Sequence, residues 1–167
     1  MVSKEELLKF DTLNAFTSQE LAKLAAIAHI FVYKKDEKIF AQGESLTNLY
    51  LMDRGEVVLT FELNKDVTLI FSHLRPGTFF GITGLCAEKT FQNAYCLRPS
   101  QVIVFPLKKL EELFVEDKRL GFKLYYELLK LYHKIAQKRT LHTLKLLKER
   151  KDLKNLDFVS TMLDFSG

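Results

Sequence analysis

The sequence predicts a mainly β domain flanked by helices, with the strands arranged as a sandwich or jelly-roll barrel. Two changes of periodicity carry that prediction. From about residue 29 to 106, short runs rich in β-branched and aromatic residues alternate with turn signals, whereas before and after this stretch apolar residues recur at helical spacing. Size agrees: 167 residues, 47% of them apolar, suit one domain with a sizeable core.

Residues 4–28 read as two short helices. Leu7, Leu8, Phe10 and Leu13 are followed by Thr17-Ser-Gln-Glu20, in which a hydroxyl and a carboxylate three positions later can cap each other's backbone. Leu21, Leu24, Ala25 and Ala28 then form a stripe expected to pack on the barrel. Strands are expected at 30–33, 38–41, 48–52, 57–63, 67–73, 93–97 and 102–105, separated by Gly43, Asp53-Arg54-Gly55, Asn64-Lys65-Asp66, Pro76-Gly77 and Arg98-Pro99-Ser100. In 57–63, Val57, Leu59, Phe61 and Leu63 share one face and Thr60 and Glu62 the other, the alternation of a half-buried strand.

After Pro106 the helical period returns. Residues 107–114 form a short amphipathic segment, a break falls at Glu116-Asp117, and a longer helix is expected over 118–150. Within it Leu124, Leu128, Leu131 and Ile135 make a coiled-coil-like seam that turns polar at Lys138, Arg139 and His142 before Leu144, Leu146 and Leu147. Packing on the chain's own barrel and pairing with a second copy both fit this stripe. The expected layout is a domain over 1–150, with helices 4–28, barrel 29–106 and helices 107–150, followed by a tail over 151–167.

The most informative stretch is Arg75-Pro-Gly-Thr-Phe-Phe-Gly-Ile-Thr-Gly-Leu85 with the later Gln92-Asn93-Ala94. It reads as a phosphate cradle without its charges. Pro76 and Gly77 turn the chain, Gly81 and Gly84 let backbone approach a ligand, and 82–85 can start a short helix whose free N–H groups face an anion. The nearby Arg75, Glu88, Lys89 and Arg98 are expected to be solvated charges.

Other chemistry is thinly represented. The net charge of +4 collects in the C-terminal third and implies no nucleic-acid groove. Cys86 and Cys96 are too few for a disulfide framework or a four-ligand cluster and are expected to pack as small apolar groups. His29, His73, His133 and His142 fall in no metal-ligand spacing, and no nucleophile elbow, Walker loop or dinucleotide fingerprint occurs, so neither a metal nor an enzyme is expected. With no leader-like apolar run and no stretch of eighteen apolar residues, the expected location is the cytoplasm, without a membrane partner.

Taken in order, Ile39-Phe-Ala-Gln-Gly-Glu44, Leu49-Tyr-Leu-Met-Asp-Arg-Gly-Glu-Val57, Leu74-Arg-Pro-Gly-Thr-Phe-Phe-Gly81 and Val102-Ile-Val-Phe-Pro-Leu-Lys-Lys-Leu110 resemble the cyclic nucleotide-binding domain. This is the sensor fold of catabolite activator-type regulators, protein kinase A regulatory subunits and cyclic-nucleotide-gated channels. The resemblance covers roughly residues 8–140 and implies a double-stranded β-helix (jelly-roll) barrel with short N-terminal helices and a long C-terminal helix. It implies a ligand site at Phe80, Gly81, Ile82, Thr83, Gly84, Leu85, Gln92, Asn93 and Ala94.

Where the family has Phe-Gly-Glu, its Glu accepting from the ribose, this chain has Phe80-Gly81-Ile82. Where the family has Arg, then Ser or Thr, then Ala, with the Arg on the cyclic phosphate, this chain has Gln92-Asn93-Ala94. Losing two charge-assisted hydrogen bonds weakens a cyclic nucleotide by about two to four decades. The resemblance further implies a stand-alone sensor of a small anionic ligand that signals through the C-terminal helix to a partner protein, with a homodimer through 118–150. Its base-reading positions fall near residues 135–137. The chain leaves no room after the long helix for a helix-turn-helix, so direct DNA binding is not expected. Two other readings stand beside this one: a vestigial pocket on a dimerisation or interaction module, and a changed specificity in which Ile82 and Gln92 accept a fatty, aromatic or carboxylate effector.

Overall fold

The computed structural model describes residues 2–86 and 89–149, with backbone alone at 146–149. The chain divides into two units, residues 1–128 and residues 129–167. The expected tail at 151–167, Glu88, and the side chains of Leu146 and Leu147 lie outside the described residues.

The first unit contains eight strands: β1 (His29–Tyr33), β2 (Lys38–Phe40), β3 (Asn48–Arg54), β4 (Val57–Glu62), β5 (Thr68–Leu74), β6 (Phe79–Phe80), β7 (Asn93–Cys96) and β8 (Ser100–Pro106). They form two antiparallel four-stranded sheets in the orders β1-β8-β3-β6 and β2-β7-β4-β5. The chain crosses repeatedly from one sheet to the other, which is the jelly-roll connectivity. Alternating apolar residues fill the space between the sheets: Met52, Val57, Leu59, Leu74, Ala94, Cys96, Val102 and Val104 pack with the rings of Phe40, Tyr50 and Phe80. Burial pushes the Tyr33 hydroxyl up to about 12 and raises Tyr50 and the Cys96 thiol, so the polar atoms of this core stay neutral.

Strand direction gives the barrel two ends. The pairing of Tyr33 with Ser100 sets the 34–37 turn beside the 97–99 turn, and the turns after β3 and β5 fall at the same end. The 41–47 loop, the β4–β5 turn and the 81–92 segment lie at the other end, where β8 exits into the helices.

Capping fixes the helices. In α1 (Lys4–Leu7) Ser3 and Glu6 cap each other; in α2 (Ser18–Ile27) Glu20 N–H donates to Thr17 Oγ1 at 3.3 Å and Thr17 N–H to Glu20 Oε2 at 2.7 Å, the reciprocal pair read from sequence. After β8 come α3 (Leu107–Glu116) and α4 (Lys118–Glu149). Leu24 of α2, Leu124 of α4, and Leu49, Phe79 and Phe105 of the barrel surround one apolar gap.

The leucine stripe is therefore divided. Leu120, Leu124 and Leu128 are buried within the first unit, so this half of the expected seam is spent on the chain's own packing. The open face of α4 in that unit carries Phe122, Tyr125 and Tyr126 instead. In the second unit Leu131 and Ile135 are half-buried and Tyr132, Leu141 and Leu144 exposed. No helix of the described residues is long and apolar enough to cross a membrane.

Candidate functional site

Gly81 leaves β6 with φ +72° and starts a 3-10 turn over Ile82–Leu85. A Cβ on Gly81 would lie 2.7 Å from Tyr50 Cδ2, and one on Gly84 would lie 2.8 Å from Leu107 Cδ1 and 3.0 Å from Leu46 Cβ. The close approach these glycines permit is thus to β3, the 41–47 loop and the start of α3; the approach expected from sequence was to a ligand. The amides also divide. Gly84 N–H donates to Gly81 O and Cys86 N–H to Thr83 O, both at 3.1 Å. Among the described residues, nothing accepts from Ile82 N–H or Thr83 N–H at the open start of the turn.

Gln92 precedes β7. Ala94 and Cys96 point into the core, and a strand alternates, so Gln92 also faces the barrel interior. It is 8% exposed, and its Nε2 is buried without a hydrogen-bond partner among the described residues. Its backbone is held by Thr90, whose Oγ1 accepts from Gln92 N–H at 3.3 Å.

Asn93, on the opposite face, is fully engaged. Its Oδ1 accepts from Gln42 N–H at 3.0 Å, its Nδ2 donates to Glu62 Oε1 at 3.1 Å, and Gln42 Oε1 accepts from Glu62 N–H at 3.0 Å. This closed network ties β7 to β4 and the 41–47 loop, which makes Asn93 scaffold. Phe80 and Ala94 are core: Phe80 stacks on Tyr50 at 5.0 Å, and Ala94 is fully buried. Thr83 and Leu85 are half-buried in the turn.

One loop fastens both halves. Gly43 N–H donates to Thr90 O at 2.7 Å and Thr90 N–H to Glu44 O at 2.8 Å, while Leu46 of the same loop touches Gly84. Arg75 and Arg98 are elsewhere. They line a cleft of about 560 Å³ at the turn end with Glu56 and His73, where Glu56 takes Arg98 Nε at 3.4 Å and His73 Nδ1 at 3.1 Å. Lys89 is exposed.

Sequence reasoning missed an aromatic wall at the cassette end. Phe61 meets Phe71 edge-on at 6.2 Å, and Phe71 meets Phe91 edge-on at 6.1 Å. Phe91 is 48% exposed and Leu69 45%. Phe61 pairs with Leu69, and one step along from the Thr60–Asn93 pair it comes beside Gln92. The sequence signal was there in Phe91-Gln92. Phe71 was masked by a register shift, since β4 pairs Leu59 with Ser72 but Thr60 with Ile70.

The sequence matches the family profile of the cyclic nucleotide-binding domain over residues 30–117. The chain belongs to the cyclic nucleotide-binding domain family. It is 32% identical over 82 residues to a cAMP-dependent protein kinase regulatory subunit from Debaryomyces hansenii, covering 48% of this chain and 17% of that protein. In fold it is similar to a cyclic nucleotide-binding domain from Methylobacillus flagellatus, with TM-score 0.74, 20% identity, and coverage of 87% of this chain and 83% of that one. It is likewise similar to the catabolite activator protein of Thermus thermophilus, with TM-score 0.68, 21% identity, and coverage of 82% and 62%.

In this cyclic nucleotide-binding domain the cassette is joined physically to the helices. Leu107, the first residue of α3, donates its N–H to Thr47 O at 2.9 Å and touches Gly84 with its side chain. At the far end of α3, Asp117 caps α4 by accepting from Leu120 N–H at 3.0 Å and pairs with Lys23 of α2 at 2.6 Å. The Lys23 ammonium and the Leu120 amide hold the Asp117 carboxyl below its usual range. Lys123 of α4 grips both oxygens of Glu20, at 2.9 and 2.6 Å. Burial pushes the Glu20 carboxyl up, but Lys123 and Thr17 together outweigh it and leave the pKa lowered.

Proposed function

We propose that this regulatory domain senses a small anionic ligand at its cassette and passes the signal through its C-terminal helix to a partner protein or a second copy of itself. The observation that carries the reading is Gln92. A buried amide donor without an acceptor costs about 1–3 kcal/mol, and a ligand oxygen is the group that would repay it. The free N–H groups of Ile82 and Thr83 supply further neutral donors, with dipoles in place of the charged side chains used elsewhere in the family. A cyclic nucleotide remains one such ligand, held more weakly than where both charged anchors are present.

A path from cassette to helix is built from packed parts. A ligand that draws on the 82–85 turn would move Gly84 against Leu107, α3 would carry the displacement to Asp117, and the Lys23–Asp117 and Lys123–Glu20 pairs would respond at the start of α4. Phe122, Tyr125 and Tyr126 are the surface this motion presents to a partner or a second copy.

Asn93 favours a second reading. Its side chain is committed to structure, as expected of a vestigial pocket on an interaction module. Thermal shift separates the two: at about one hundred times its dissociation constant a ligand stabilises by about 2.7 kcal/mol, and no shift with any cyclic nucleotide or small anion favours the module. Restoring the anchors in the double variant Ile82→Glu, Gln92→Arg should make cyclic AMP bind. Failure to bind would mean that the cavity itself has closed.

A further inference from the structure

We propose that the ligand of this cassette is a small aromatic monocarboxylate, its acid group on Gln92 Nε2 and its ring against the wall of Phe61, Phe71 and Phe91. This rests on reading the cassette as a ligand site and names the class of ligand. The wall stands at the end of the barrel where Gln92 enters β7: Phe61 follows Thr60, whose partner is Asn93, and Phe71 packs against the barrel core and carries Phe91 edge-on. The two edge-to-face contacts leave Phe91 about half exposed, so an added ring can extend the cluster in the arrangement aromatic rings favour.

The polar side of the site is as selective as the apolar side. Gln92 Nε2 is a neutral donor, so it suits one singly charged oxygen pair and supplies no balance for higher charge. The side chain at the start of the 82–85 turn, Ile82, is pure hydrocarbon and offers no charged acceptor to a sugar hydroxyl. An arene bearing one carboxylate uses what is present and asks for nothing that is missing. Leu69, paired with Phe61 and 45% exposed, continues the apolar surface toward solvent.

The test uses the full chain, with benzoate, phenylacetate and cinnamate as probes beside cyclic AMP, cyclic GMP and inorganic phosphate. Calorimetry and thermal shift measure binding; the side-chain amide resonances of Gln92 in the ¹⁵N-labelled protein report its location. At least one aromatic acid should raise the melting temperature and move the Gln92 resonances, while cyclic nucleotides bind more weakly. Gln92→Glu keeps the shape and reverses the electrostatics, and should weaken that acid about tenfold or more. Phe91→Ala, at an exposed position, should weaken it about two- to tenfold without disturbing the fold. Cyclic nucleotide binding without any response to the acids would overturn the ligand class and leave the sensor reading standing. Silence from every probe would remove both, and acid binding unaltered by Gln92→Glu would place the acids elsewhere and overturn the proposal.

Discussion

The cassette and the helical junction spend their polar groups in opposite ways. At the cassette, Ile82 and Gln92 stand where a carboxylate and a guanidinium serve the family, and the free donors are neutral amides. At the junction of α2, α3 and α4, two ion pairs of 2.6 Å lock Lys23 to Asp117 and Lys123 to Glu20. Specific charge stands where the start of α4 is positioned and is missing from the two cassette positions. A neutral cassette can change its ligand through a few apolar substitutions, because no buried charge has to be matched. A junction built on partly buried ion pairs has few alternative geometries and can hold α4 in defined places.

The strongest way to break this contrast is to attack the cassette where it is rigid. Gly81→Ala combines a left-handed backbone with a Cβ 2.7 Å from Tyr50, whose buried ring is itself stacked on Phe80 and packed at a tilt against Phe40. The expected cost is about 3 kcal/mol, measured by urea denaturation. Gly84→Ala should cost about 1 kcal/mol, since its φ is ordinary and the nearest atom is the flexible end of Leu107. Equal costs would mean that the turn is not wedged on β3.

At the junction, Lys123→Ala leaves Glu20 charged and only 11% exposed in its side chain, and should destabilise by about 2 kcal/mol. Lys23→Ala acts on a pair whose lysine side chain is 40% exposed and should cost below about 1 kcal/mol. The sharper reading is positional: both variants should alter proteolysis at 116–118 more than thermal stability does.

Acid gives a smaller and reversible effect. The folded pKa values of Glu20 and Asp117 are both lowered, so their contribution to stability is fully present above the ordinary carboxylate values and is lost as pH falls through the depressed ones. Stability should therefore decline below about pH 4. In the double variant Glu20→Gln, Asp117→Asn this acid limb should flatten, while a limb of unchanged slope would assign it to other carboxylates.

The two regions were unequally legible in the sequence. The Thr17–Glu20 cap and the break at Asp117 are local patterns, and the structure has them where the pattern placed them. The alternation expected over 57–63 is not what the burial shows: Val58 and Thr60 are buried along with Val57 and Leu59, and Leu63 is exposed beyond the end of β4. What local patterns cannot hold is contact across the chain. The Asn93 network is of that kind: it reaches Gln42 and Glu62, both far away in sequence. The close neighbours of Gly84, Leu46 and Leu107, likewise come from both directions along the chain. β6 has two residues, too few for a period, and a register shift hid the inward turn of Phe71. On α4 both the leucine stripe and the aromatic stripe have helical spacing, and periodicity alone does not say which one the barrel covers.

The smallest predicted change decides most about the cassette. Gln92→Leu replaces a buried donor, unpaired among the described residues, by an apolar side chain of similar size. Removing a satisfied buried amide costs stability, whereas removing an unsatisfied one is neutral or gains about 0.5–1 kcal/mol. The ligand-free protein should therefore be unchanged or slightly more stable in urea denaturation, and under the proposed sensor reading it should lose its response to a ligand. A fall of more than about 1 kcal/mol would show that Gln92 Nε2 is already paired in the free protein. It would then belong, with Asn93, to the scaffold, and the cassette would retain no buried side-chain donor for a ligand to satisfy.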